Sequence, residues 1–156
     1  MSPLRASVCS LCVILLLVGA CNNPAPTSPT GLAVVSLRIG HVDYTLEVAD
    51  TVTSRATGLM RRDSMPDQHG MIFVFPDEDL RRFHMQNTRI PLDILFLDAR
   101  GRVVSVSTMK PYDLSTTPSA APARYAIELN AGQALRNGVK VGDVLDIPVG
   151  ARTSKE

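Results

Sequence analysis

The stretch Leu92–Leu97 (Leu-Asp-Ile-Leu-Phe-Leu) is apolar at five of its six positions. Six residues are a typical strand length and too few for a stable helix. Because apolar side chains occupy both sets of alternating positions, we expect a strand that the protein covers on both faces. The Asp-Ala-Arg-Gly sequence at 98–101 predicts the turn that ends it.

The segments on either side of this stretch mostly alternate between apolar and polar residues, as strands do. A Gly40-His41 turn predicts that the first two form a hairpin. Helical spacing predicts a helix over 51–60, capped by Asp50, and a helical turn over 132–137. This pattern predicts a mainly β domain, a sandwich or partly closed barrel of about eight short strands with one or two short helices. The further predicted strands are 35–39, 42–48, 71–75, 83–87, 103–109, 125–130 and 144–149.

Three sequence groups carry a family resemblance: Gly58-Leu59-Met60, the run 70–75, and above all the run 85–96 with its Asn-Thr-Arg-Ile-Pro-Leu-Asp centre. In order and spacing they resemble the domain of unknown function family 192, and the similarity continues through 125–129 and 141–143. The resemblance implies a mainly β, jelly-roll-like fold that is often exported, with no established activity or cofactor. His84 stands where that family commonly has tryptophan.

The N-terminus is typical of a bacterial lipoprotein signal. An apolar run at 8–20 is shorter than the roughly 20 residues that cross a membrane, and Gly19 and Ala20 suit cleavage before Cys21. Resemblance to such signals implies a diacylglyceryl group on Cys21; an ordinary signal cut nearby is the alternative. We divide the chain into a signal peptide (1–20), a lipidated cysteine with a flexible tether (21–32), the β domain (33–150) and a disordered tail (151–156).

These features predict a protein held in the cell envelope by the lipid on Cys21 without spanning the membrane. Asn22 favours the outer membrane, facing the periplasm, by analogy with known sorting rules, and the sequence leaves the inner membrane open. Cys9 and Cys12 lie in the predicted signal, which excludes disulfides and thiolate catalysis in the mature domain. Removing Arg5 leaves fifteen basic residues of the sixteen against fifteen acidic ones, so we expect no nucleic-acid partner.

Asp93 is the one charged residue of the central stretch, and its carboxylate needs a partner when it is buried. Arg55 and Arg61 are candidates. The pair would either fix the strand register or form the floor of a pocket. By contrast, Glu128 alternates with apolar neighbours, and we expect it to face solvent.

Asn87 and Thr88 precede the constrained Ile90-Pro91 step, where such side chains commonly satisfy local backbone groups. The alternative is a hydrogen-bonding rim for a small polar ligand. The candidate ligand-binding residues are therefore Arg61, His84, Asn87, Thr88 and Asp93.

The sequence motifs give little support for metal binding or nucleophilic catalysis. Five methionines of the mature domain, with His69 and His84, raise the alternative of a Cu(I) site, yet they form no dense motif and methionine commonly fills cores. Ser64 and the run 115–117 lack the glycines of a nucleophile elbow, and there is no His-Glu-x-x-His sequence. We predict neither a metal nor a cofactor. The sequence leaves enzyme status open and favours a role without catalysis.

The sequence thus predicts a lipid-anchored, non-catalytic binding module for a small polar ligand or an envelope protein. One alternative is an enzyme acting on envelope carbohydrate with Asp93 as its acidic group. The other alternative is a periplasmic Cu(I)-binding protein. The identity of the ligand, the oligomeric state and the role of the loop 111–122 stay open.

Overall fold

The computed structural model describes residues 28–156, so the predicted signal peptide, Cys21 and most of the tether lie outside the described residues. None of the helices in 28–156 is long and apolar enough to cross a membrane. The elements of this part of the chain are β1 (Val34–Ile39), β2 (Val42–Ala49), α1 (Val52–Thr57), β3 (His69–Asp79), β4 (Arg82–Phe83), β5 (Leu92–Leu97), β6 (Val103–Met109), β7 (Thr117–Pro118), β8 (Ala123–Asn130), α2 (Gln133–Arg136) and a 3-10 helix (Val149–Ala151).

Six strands form one sheet in the order β1-β2-β3-β8-β5-β6, and β4 pairs with β7 in a small separate ribbon. The sheet is antiparallel except for the parallel pair β2 and β3. Parallel strands cannot be joined by a tight turn, so residues 50–68 cross over one face of the sheet and carry α1. The predicted mainly β class, with about eight short strands and two short helices, is confirmed, and within 28–156 the sheet does not close into a barrel.

Strand β5 has the predicted bounds, and all six of its side chains are buried. Leu95 and Leu97 belong to one hydrophobic core, whereas Ile94 and Phe96 belong to a second core on the opposite face of the sheet. We call the first side the α2 face, because α2 and the C-terminal segment cover it. The second is the crossover face, covered by 50–68 and by the segment after β4.

The hairpin of β1 and β2 turns at Gly40, with Ile39 paired to Val42 as predicted. Gly40 adopts φ 62°, and a Cβ atom there would lie 2.1 Å from the carbonyl oxygen of Asn137. Only glycine allows this turn to pack against the end of α2.

Helix α1 is shorter than the predicted 51–60, and Thr51 caps it instead of Asp50. The Thr51 hydroxyl accepts from the Ser54 amide at 3.1 Å, and the Ser54 hydroxyl accepts from the Thr51 amide at 3.0 Å. This capping box satisfies two backbone donors at the helix start. The helix ends at Gly58, and none of its residues is buried.

Two predicted strands are corrected by the structure. The strand expected at 83–87 is reduced to β4, because the chain turns at Asn87, which adopts φ 56°. The segment 144–149 makes only an isolated bridge between Val144 and Arg102. Its apolar alternation instead packs Leu145 and Ile147 into the core of the α2 face.

Both ends of the described chain contact the sheet region. The Ser28 and Thr30 hydroxyls, in the predicted tether, donate to the Glu47 carboxylate. Residues 151–156 were predicted to be disordered, but the Ser154 hydroxyl donates to the Asp50 carbonyl oxygen at 2.9 Å, and the Lys155 ammonium lies 2.8 Å from the Asp50 carboxylate. The tail therefore lies against the start of the crossover.

Candidate functional site

Glu128 lies on β8 near the middle of the sheet, with its side chain on the crossover face. The strand register places Glu47, Met71, Glu128 and Ile94 in one row across four neighbouring strands. Glu128 is only 5% exposed. The prediction that it faces solvent is wrong, because the crossover covers the face to which strand alternation assigns it.

A cavity of about 270 Å³ opens above this carboxyl group. Its apolar wall is built from Leu59, Phe73 and Phe83, and the two rings meet edge to face with centroids 4.9 Å apart. Gly58 lies against the Phe73 ring at the end of α1, where a Cβ atom would be 3.4 Å away. The remaining lining residues are Arg55, Ala56, Thr57, Met60, Phe75, Arg82, His84 and Thr88.

No side chain in 28–156 donates a hydrogen bond to the Glu128 carboxyl group or forms an ion pair with it, and its oxygen atoms open into the cavity. Burial raises its pKa to about 8, and the positive charge of Arg62 only partly opposes this shift. At neutral pH the group is therefore mostly a neutral carboxylic acid, which can donate a hydrogen bond into the cavity.

Glu47, in the same row, has the opposite environment. Arg62 donates two hydrogen bonds to its carboxylate, at 2.5 and 3.0 Å, and Thr30 and Ser28 donate at 2.5 and 3.1 Å. Burial alone would raise the pKa of Glu47, but these hydrogen bonds and the charge of Arg62 outweigh it and lower the pKa. Glu47 is thus a structural ion-pair partner, and the cavity does not include it.

The mouth of the cavity is basic. The guanidinium of Arg55 donates to the Val74 carbonyl oxygen at 2.9 Å and to the Ser154 hydroxyl at 3.2 Å, and it also pairs with the Glu156 carboxylate. Arg82 is exposed, and its side chain makes no hydrogen bond or ion pair with any residue of the described chain. The mouth therefore offers one guanidinium with free donors.

Two of the predicted site residues, His84 and Thr88, line this cavity. Arg61 and Asn87 lie beside it: both adopt positive φ, and the Arg61 amide donates to the Asn87 carbonyl oxygen at 2.8 Å. Their side chains are not part of the lining. The Thr88 hydroxyl donates to the Gln86 carbonyl oxygen at 3.3 Å, which is the local backbone contact that the sequence favoured.

Asp93 lies on the opposite, α2 face and is only 2% exposed. Its carboxylate accepts from the Thr108 hydroxyl at 2.7 Å and from the Ala134 amide, in the first turn of α2, at 3.0 Å. Neither Arg55 nor Arg61 is its partner. The structure thus separates Asp93 from His84 and Thr88 and gives it the role of joining β5, β6 and α2.

The described residues contain no group of three or more His, Cys, Asp or Glu side chains arranged to hold a metal ion. Met85, the methionine next to His84, is a buried member of the core on the crossover face. Met65, Met71 and Met109 belong to the same core. These thioethers fill space between the sheet and its cover.

The candidate site residues predicted from the sequence do not include Glu128, Arg82 or the phenylalanine wall. Period-two alternation assigns Glu128 correctly to the face opposite Ile127 and Leu129, but it does not say what covers that face. The signal was in the neighbouring strand: β5 is almost wholly apolar, which indicates that the middle of the sheet, where β8 lies, is covered on both faces.

Comparison with known proteins places this architecture in a family. Residues 35–147 match the model of DUF192 (Uncharacterized ACR, COG1430). The chain is 32% identical over 106 residues to a UPF0127 protein of Pyrococcus abyssi, covering 65% of this chain and 84% of that protein. It is 32% identical over 118 residues to a UPF0127 protein of Thermococcus gammatolerans, with 74% and 72% covered.

A solved structure has the same fold. The crystal structure of a protein of unknown function from Novosphingobium aromaticivorans superposes with a TM-score of 0.73 at 34% identity, covering 81% of this chain and 94% of that one. The family model spans most of the chain, from β1 to the segment after α2, and includes every residue that lines the cavity. The chain therefore belongs to the DUF192 family.

Proposed function

We propose that this protein is a non-catalytic binding module, held at the cell envelope by a lipid on Cys21, that takes a small ligand in the cavity over Glu128. The observation that carries the proposal is the Glu128 carboxyl group: the residue is only 5% exposed, the group opens into a cavity, and no donor of the described chain is hydrogen-bonded to it.

The other buried carboxylates show that this lack of a donor is unusual in the fold. Asp93 and Glu47 are both satisfied by donors from neighbouring elements, so the fold supplies partners where a carboxylate serves structure. Glu128 lies in the same sheet without one. A ligand group in the cavity would complete its hydrogen bonding.

The composition of the cavity favours binding over hydrolysis. Glu128 is the only carboxylate among its lining residues in the described chain, whereas glycoside hydrolysis commonly needs two carboxyl groups about 5–10 Å apart. Asp93, the acid that the sequence suggested, is sealed beneath α2. The aromatic wall and the few polar groups are the usual composition of a small-molecule site.

The lipid anchor is supported by the sequence at Cys21 and by where the tether meets the sheet. Thr30 donates to Glu47, which lies two strands from Glu128, or about 10 Å at the usual strand spacing. An anchor at Cys21 would keep the crossover face within a few nanometres of the bilayer, because the chain from Cys21 to Thr30 advances by nine residues and spans at most about 32 Å.

The binding test uses the purified full-length chain and saturation-transfer NMR against a set of small fragments. Ala56→Trp, on the exposed side of α1 at the cavity mouth, should remove the fragment signals, and Thr53→Trp on the same helix, outside the lining, should leave them. Fragments that bind both variants equally, or none that bind at all, would contradict a cavity ligand.

The anchoring test is separate. Mass spectrometry of the membrane-extracted protein should show a diacylglyceryl group on Cys21, and Cys21→Ser should move the protein to the soluble fraction. An unmodified N-terminus on a membrane-bound protein would contradict the lipid anchor without affecting the cavity.

A further inference from the structure

Several polar groups of the cavity present free hydrogen-bond donors. Arg82 has only donors, and Glu128 carries a proton at neutral pH. The Nδ1 atom of His84 accepts from the Gln86 amide at 3.3 Å, which leaves its Nε2 atom to carry the hydrogen. The acceptors are the Thr57 and Thr88 hydroxyls, which donate to backbone carbonyl oxygens and keep lone pairs, and the carbonyl oxygen of protonated Glu128.

The net charge at the cavity mouth is positive. Glu156 pairs with Arg55, and Asp77 pairs at 2.6 Å with Arg81, whose guanidinium stacks 4.1 Å from the centre of the Phe75 ring. No carboxylate in 28–156 pairs with Arg82. This positive charge would repel a cationic ligand and attract an anionic one.

The size of the cavity and its wall limit the ligand further. About 270 Å³ corresponds to the space of about nine water molecules. Phe73 and Phe83 present an apolar surface that is fixed by edge-to-face packing, including Phe83 against Phe96 at 5.5 Å. The ligand that fits is small and has an apolar or aromatic body.

We infer that the cavity binds a small organic anion, with its oxygen acceptors facing Glu128, Arg82 and His84 and its apolar body against Phe73 and Phe83. This inference rests on the proposed binding function and names its ligand class. Because a guanidinium and a carboxylic acid both donate to carboxylate oxygens, a monocarboxylate is the simplest ligand of this chemistry.

Binding of an anion should weaken as the pH rises through about 8, because ionised Glu128 would repel it. The charged and titratable groups that face Glu128 are two arginines of the crossover, an arginine and a histidine at and after β4, and one carboxylate in the same row. They are Arg55, Arg62, Arg82, His84 and Glu47. Of these, Glu47 is neutralised by Arg62, so Glu128 is the group whose ionisation changes the cavity charge in this range.

The test compares three probes with the same ring: benzoate, benzamide and the benzylammonium ion. In NMR titrations of the full chain at pH 6.5, benzoate should bind about tenfold more tightly than benzylammonium, equivalent to 1.4 kcal/mol. Arg82→Gln should remove most of that preference, because the variant keeps a donor at this position and loses the positive charge. Arg100→Gln, an exposed arginine outside this cavity, is the matched charge control.

Glu128→Gln gives the second readout, because the amide keeps a donor and cannot ionise. It should retain benzoate binding at pH 6.5 and lose the roughly tenfold weakening that we expect for the wild type between pH 6.5 and 9.5. The inference is overturned if benzylammonium binds best and Glu128→Gln abolishes its binding, an outcome that leaves the binding function standing. It is also overturned if none of the three probes binds while other fragments give signals sensitive to Ala56→Trp. Failure of every fragment would contradict the proposed function itself.

Discussion

Glu47 and Glu128 lie in the same row of the same sheet face, two strands apart, yet their electrostatic environments are opposite. Three side chains donate to Glu47 and lower its pKa, whereas burial without a donor raises the pKa of Glu128 to about 8. The difference lies in what covers each residue. The crossover places Arg62 over Glu47, and it places an open, phenylalanine-lined cavity over Glu128. One face of the sheet thus carries a structural carboxylate and a candidate binding carboxylate.

The largest change is expected from removing the partner of Glu47. Arg62→Leu leaves a mostly buried carboxylate without its cation, which should lower the free energy of unfolding by about 3 kcal/mol at pH 7. Urea denaturation measures the loss, and Arg62→Leu/Glu47→Gln should recover most of it. A single variant as stable as the wild type would show that the hydroxyls of Ser28 and Thr30 suffice.

Asp93 extends the comparison to the α2 face. Asp93→Asn replaces one acceptor oxygen with a donor group, so either Thr108 or the Ala134 amide loses its partner, and stability should fall by about 2 kcal/mol. Binding of fragments to the folded protein should be unchanged. If fragment binding is lost at a pH and temperature where circular dichroism shows a folded protein, Asp93 contributes to the binding site.

Glu128→Gln should raise the free energy of unfolding, and only at pH values where Glu128 of the wild type would ionise. Between pH 4.5, its ordinary pKa, and about 8, the unfolded wild type loses this proton while the folded protein keeps it, so wild-type stability falls as the pH rises. The variant lacks that slope and should be about 2 kcal/mol more stable than the wild type at pH 9, and equal to it at pH 4. Urea denaturation across this pH range measures the difference; parallel stability profiles would show that Glu128 is solvated or paired.

The smallest effect is expected at the tail. Glu156→Gln removes the ion pair with Arg55 at the cavity mouth, and partly exposed pairs of this kind contribute about 0.5 kcal/mol. Thermal denaturation should show a shift of a few degrees at most. Since Arg55 gains free donors in the variant, benzoate affinity should rise; a decrease would indicate that the tail contributes to binding.

The strands that the sequence predicted correctly are those whose pattern reflects both faces of the sheet. Leu92–Leu97 and Val103–Met109 have the predicted bounds, because continuous apolar side chains or strict alternation leave one register. The segment 144–149 alternates for another reason. Leu145 and Ile147 fill the α2-face core from a covering segment that pairs with the sheet at a single bridge, and local periodicity does not distinguish the two cases.

The candidate site was predictable only in part. Thr88 was found because polar side chains before the constrained Ile90-Pro91 step predicted a bend that could form a hydrogen-bonding rim. The cavity borders that bend, and His84 lies just before it. Asp93 was assigned to the wrong environment. Strand alternation predicts which residues share a face of the sheet, but it does not predict which segment packs over that face. The burial of Glu128 was not predicted for the same reason. The crossover that covers it is distant in sequence from β8, so the residue pattern of β8 carries no information about it.

The parallel pairing of β2 and β3 has a consequence for how the cavity opens. The crossover that roofs the cavity is one continuous segment, its helix α1 has no buried residue, and it contributes no strand to the sheet. Such a segment can detach without breaking the ladder beneath it, at a free energy below that of global unfolding. Amide hydrogens of 52–57 should therefore exchange with deuterium faster than those of β8, and a bound probe should slow the exchange of the helix selectively. The cavity would then open by movement of α1 while the sheet beneath it stays intact.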